Sequence, residues 1–192
     1  YRLPDSLPAE KIKYINVEGD FDVTNLLFPG KDLPCITRLP EKFKVGNEIS
    51  ISGVFHDEPM NNVVVRLQEG LKSSVGGTTP LNIGLQVELS SGQQQQAEVR
   101  LDTRSWGRWS AYPVRRPFRH LRPGQAFALR ITNRLDHYEV NVEGSAQHLS
   151  IAKELDSEQL THITLVGDAS LETLDFPRQL ALPYLNEIPN TL

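Results

Sequence analysis

The sequence predicts an all-β protein, a sandwich of two antiparallel sheets, and three observations carry that prediction. Short segments rich in Val, Ile, Leu and Thr recur along the chain, clusters of Gly, Pro, Asn and Asp separate them, and the segments alternate apolar and polar residues with period two. Such a strand buries one face and wets the other, so two sheets must stack to hide their apolar sides.

Glu48-Ile49-Ser50-Ile51-Ser52-Gly53-Val54-Phe55 is the clearest strand, with its apolar residues on every second position. Asn62 to Leu67 reads the same way and runs into a loop, Gly70 to Pro80. Leu81 to Leu89 is the next strand, followed by Ser90 to Gln96, a polar Gly-Gln tract that reads as a loop without chemistry of its own. Ala97 to Leu101, Ala126 to Thr132 and Tyr138 to Val142 continue the series. Ile151 to Leu160 holds good helix formers but only a thin apolar stripe, and is read as a turn or short helix. Thr161 to Val166 is the last strand of the set.

A chain of 192 residues is the size of one large domain, and 39% hydrophobic with 23% charged residues fits a soluble globular protein with a real core. The formal net charge of −4 removes any whole-chain attraction to polyphosphate, so no nucleic acid partner is expected. The lone cysteine, Cys35, has no partner for a disulfide and reads as small buried filler. His56, His120, His137, His148 and His162 are scattered without ligand spacing, so no metal is expected. There is no nucleophile elbow, phosphate-cradling loop or paired-carboxylate signature, hence no enzyme and no cofactor is read. Tyr1 to Ile15 lacks a charged stretch followed by an apolar one, and nowhere do eighteen apolar residues run together, so neither signal peptide nor membrane span is expected. Opening on Tyr1 rather than Met, the chain reads as a piece of a longer protein.

An internal repeat organises the ends. Ile15 to Pro29 aligns without gaps on Ile163 to Pro177, and Leu33 to Pro40 aligns on Leu182 to Pro189, both at a separation of about 148 residues. This divides the chain into residues 1–29, a strand pair resembling the end of a preceding repeat, a domain at 33–177, and 178–192, an extension or the start of a following repeat. On this reading Asp5 to Phe28 lacks its own sandwich and must pack on the intact domain or stay mobile.

Within the domain, Lys44 to Phe55, then Trp106-Gly107, Pro117-Phe118 and Leu121 to Ile131, then Tyr138 to Gly144 and Ile163 to Asp168 stand in an order and spacing that resemble the galectin family. The resemblance spans about Leu33 to Phe176. It implies a jelly-roll sandwich whose concave sheet grooves a β-galactoside, an aromatic face stacking on the sugar while charged and amide groups bond its hydroxyls.

The family's polar set is largely replaced here. Family members carry a His-x-Asn-Pro-Arg strand, an Asn on the next strand, and a Trp-Gly-x-Glu-x-Arg segment. Registered on these, Gln86 stands at the His, Glu88 at the Asn and Ser90 at the Arg; Leu101 or Asp102 falls near the second Asn; Trp106 and Gly107 are retained, while Trp109 replaces the Glu and Ala111 the Arg. Losing the Arg and Glu removes charge-assisted hydrogen bonds of about 1.5–3 kcal/mol each, against a stacking contribution of about 0.5–1.5 kcal/mol. The resemblance therefore implies weakened or altered galactoside binding. The candidate ligand-binding residues are Trp106, Gln86, Glu88, Arg100 and Asp102, with Glu88 placed to pair with Arg100 across neighbouring strands. Trp109 is assigned to packing at the sandwich edge, and the basic run Arg115-Arg116-Pro117-Phe118-Arg119-His120-Leu121-Arg122 to a solvated loop, with an acidic partner or sulfated glycan as its alternative.

Two functions stand at this point: a non-enzymatic domain binding a glycan or glycoprotein through an altered groove, or a protein-interaction or structural module that keeps the sandwich and has lost sugar binding. The position of the N-terminal strand pair separates them, since covering the concave face favours the second and leaving it free favours the first. The resemblance also implies a cytoplasmic location, or an extracellular one reached by unconventional export.

Overall fold

A computed structural model describes residues 25–59, 61–69, 79–86, 97–105, 108–118, 121–145, 148–153 and 159–176, with the backbone alone at 25–29, 79, 80 and 105. Thirteen strands and no α-helix are found among them: β1 Asn25–Asp32, β2 Cys35–Arg38, β3 Glu48–Phe55, β4 Val63–Gln68, β5 Thr79–Gln86, β6 Glu98–Ser105, β7 Arg108–Trp109, β8 Val114–Pro117, β9 Ala126–Asn133, β10 His137–Val142, β11 Leu149–Ala152, β12 His162–Val166 and β13 Ala169–Asp175. They form two antiparallel sheets, one in the order β1-β13-β3-β9-β10-β11, the other in the order β2-β12-β4-β5-β6-β7 with β8 also pairing β6.

The core is made by the alternate positions that the sequence pattern selects. Ile49, Ile51 and Phe55 of β3, with Phe127, Leu129 and Ile131 of β9, face Val65 and Leu67 of β4, Ile83 and Leu85 of β5 and Leu101 of β6; all are at most 5% exposed. β13 breaks the alternation. A bulge between Leu171 and Thr173 places one extra residue, exposed Glu172, against the regular strand β3, so that Leu171 and Leu174 both turn inward three residues apart. Gly53 sits at that bulge, where an added Cβ would lie 2.5 Å from the Ser170 carbonyl oxygen and 2.9 Å from the Phe127 ring. No side chain fits there, which explains a glycine within the strand.

Three strands depart from expectation. Ile151 and Ala152 belong to β11, paired with Tyr138 and His137 of β10, and not to a turn or short helix, while Gln159 lies in a 3-10 turn. Arg115 to Pro117 form β8 rather than a loop. Thr79 and Pro80 belong to β5 rather than to the preceding loop. Most of Gly70 to Pro80, all of Ser90 to Gln96 and Glu154 to Glu158 lie outside the described residues. Cys35 is buried, as its reading as filler requires.

At the N-terminal side, β1 begins at Asn25 and crosses the boundary drawn at residue 29, pairing antiparallel with β13 as the border of the six-stranded sheet. Its ladder is interrupted between Leu27 and Lys31, where Gly30 adopts a positive φ of 64°. The rest of the proposed strand pair, residues 1–24, and the proposed extension, residues 178–192, lie outside the described residues.

Candidate functional site

The outer face of the seven-stranded sheet is where alternation leaves polar side chains from four adjacent strands together. On β6, Val99, Leu101 and Thr103 are buried between the sheets, so Glu98, Arg100, Asp102 and Arg104 point the other way. Of the two residues that fall near the family's second Asn, Leu101 is 0% exposed within the core and Asp102 belongs to the outer face. Directly opposed residues of an antiparallel pair share a face. Gln86 lies opposite Glu98, Gly84 opposite Arg100 and Asn82 opposite Asp102 on the β5 side, and Arg66 of β4 lies opposite Asn82. On the other side of β6, Arg115 of β8 lies opposite Arg100, and Trp109 of β7 opposite Arg104.

The face is cross-linked by hydrogen bonds. Arg66 Nε donates to Asn82 Oδ1 at 3.2 Å. Arg100 Nη2 donates to Asp102 Oδ2 at 2.8 Å, while the Thr103 backbone N–H donates to Asp102 Oδ1 at 2.9 Å. The Asp102 side chain is 2% exposed and that of Arg100 41%, so the carboxylate is spent inside the sheet and the guanidinium meets solvent. Next to it, the Arg104 guanidinium carbon stands 5.6 Å from the centroid of the Trp109 ring, a cation–π contact.

Of the sequence-predicted site residues, the structure brings Gln86, Arg100 and Asp102 to one face, and Trp106 and Glu88 lie outside the described residues. The described partner of Arg100 is Asp102, two residues along its own strand. Trp109, expected to pack at the edge, is 48% exposed and shares the face with Arg104. Arg66, Asn82 and Arg104 were missed by sequence reasoning, and Arg115, named there in a basic run assigned to a solvated loop with an acidic partner or sulfated glycan as alternative, was not placed on this face. The signal for Arg104 was its period-two spacing from Arg100; for Arg66 and Arg115 it was a cross-strand register that no single strand carries.

Comparison with known proteins agrees with this architecture. The family model of the galactoside-binding lectins matches residues 34–176. A solved variant of human galectin-16 has a TM-score of 0.63 at 18% identity, over 78% of this chain and 98% of that one. Sheep galectin-11, solved in complex with glycerol, gives 0.60 at 19% identity over 75% and 97%, and galectin LEC-6 of Caenorhabditis elegans gives 0.62 at 12% over 81% and 96%. No curated protein sequence matches the chain. The match over most of its length, together with a two-sheet antiparallel sandwich of galectin type, shows that this chain belongs to the galactoside-binding lectin family, as a galectin-like carbohydrate-binding domain.

Proposed function

We infer that the domain binds a glycan or glycoconjugate, without catalysis, on the outer face of the seven-stranded sheet, and that its affinity for simple β-galactosides is weakened. The observation that carries this reading is the location of β1. The described part of the N-terminal segment pairs with β13 on the opposite sheet, so it does not cover the face that holds Gln86, Arg100 and Asp102. Weakening follows from the residues that stand at the family's polar positions. Trp109 and Ala111 replace a Glu and an Arg whose charged hydrogen bonds supply directionality, while Trp106 supplies stacking alone.

A panel of immobilised glycans including lactose and sulfated sugars, probed with the chain and with Trp106→Ala, tests this. Binding lost in the variant supports the reading, with lactose in solution expected at a Kd of about 1 mM or weaker. Silence across the panel from a folded sample, or lactose bound at micromolar Kd, contradicts it, and silence directs the search to protein partners.

A further inference from the structure

The border of the sheet where β6 meets β7 and β8 carries an arrangement that the galactoside reading does not use. Arg100 and Arg115 are directly opposed across β6 and β8 on the outer face. Like charges at opposed positions of an antiparallel pair repel, and a sheet gains nothing by keeping them there for packing alone. Asp102 answers only one of the two: it holds Arg100 at 2.8 Å, while exposed Arg115 has no acidic partner among the described residues. On the far side of Arg100 the facing residue is Gly84, which has no side chain to set against it, and the Arg100 side chain is 41% exposed.

One step along β6, Arg104 is held over the Trp109 ring, and its Nε is buried without a hydrogen-bond partner among the described residues. Trp109 itself is 48% exposed, so one side of the indole faces the cation and the ring still offers surface to a ligand. Across β6, β7 and β8 this face therefore sets three guanidinium groups and an aromatic ring against the carboxylates of Asp102 and Glu98, in a chain whose net charge is −4. Guanidinium pairs match the planar or tetrahedral oxygens of carboxylates and sulfates, and an aromatic ring matches the apolar face of a pyranose.

We propose that the juxtaposed Arg100, Arg104 and Arg115, with Trp109 as stacking platform, form an anion subsite that selects a saccharide bearing an acidic group, a sulfate ester or a carboxylate, over its neutral parent. This rests on the carbohydrate reading of the same face and names the substrate class. The anion relieves the Arg100–Arg115 repulsion while the pyranose lies against the indole. Because Trp109 supplies stacking, the subsite does not depend on the family's Glu and Arg, which this chain lacks.

The test is a calorimetric titration of the full chain with lactose, sulfated lactose and sialylated lactose at low and raised salt, repeated for Arg115→Ala, Arg115→Lys and Trp109→Ala, each checked for fold by circular dichroism. One acidic derivative is expected to bind at least tenfold tighter than lactose, and the advantage is expected to shrink with salt. Preference for the sulfated sugar identifies a sulfate ester as the recognised group, and preference for the sialylated sugar a carboxylate. Arg115→Ala is expected to collapse the acidic-to-neutral ratio towards one, with Arg115→Lys retaining part of it, and Trp109→Ala to weaken the acidic sugar severalfold. Equal affinity for lactose and both derivatives, or a ratio unmoved by Arg115→Ala, overturns the subsite and leaves the carbohydrate reading standing. Unaltered binding in Trp109→Ala overturns the platform. No heat with any of the three sugars, from folded protein, overturns the carbohydrate reading and the subsite with it.

Discussion

Asp102 shows how much a single residue of this face contributes away from solvent. It accepts from Arg100 and from the Thr103 backbone, and with its side chain 2% exposed it has no water to replace either bond. Asp102→Ala leaves the Thr103 N–H and the inner side of Arg100 unanswered, and is expected to lower stability by about 1–3 kcal/mol in urea denaturation, with Arg100 partly compensated by its own exposure. His162, on the outer face of β12, illustrates the opposite case. Burial, and secondarily the Arg38 guanidinium opposite it on β2, holds its imidazole below the ordinary histidine range. The unfolded chain then binds more protons than the native one once pH drops below about 6.5. Stability should therefore be full at pH 7 and above and decline as the pH falls below about 6.5, and His162→Gln should flatten that slope in thermal melts taken across the range.

Among the elements, most strands of five or more residues were legible, the seven-residue β13 excepted because its bulge breaks the alternation, and the shorter ones were not. Strands β3, β9 and β10 run six to eight residues and display enough alternation to be placed nearly to the residue. β7, β8 and β11 run two to four residues, too short for a period, and are defined only by the partner they pair with. The same cause hid much of the site. Gln86, Arg100 and Asp102 could be named from strand parity, but Arg115 joins them through register across β6 and β8, and Trp109 through the β6–β7 pairing. The β13 bulge is likewise invisible in sequence until Gly53 is seen beneath it. Gly53→Ala would push a methyl group into the Ser170 carbonyl and the Phe127 ring, and is expected to cost about 1–3 kcal/mol as overpacking, read as a lowered denaturation midpoint with the sheet content retained.

For the molecule as a whole, both sheets contribute to one continuous core that runs from Cys35 to Phe176 among the described residues. Such a sandwich has no part able to unfold while the other persists. Urea unfolding followed by tryptophan fluorescence and by far-ultraviolet circular dichroism should give coincident transitions; separated midpoints would mean that the β6–β8 border melts ahead of the core. The border strand β1 has a different consequence. A regular outer strand offers a neighbouring chain an unbroken row of amides and carbonyls, the route by which β-proteins join edge to edge into fibrils. The interrupted ladder at Leu27 to Lys31, with its left-handed Gly30, breaks that row near its middle, so among the described residues this border is a poor template for edge-to-edge pairing.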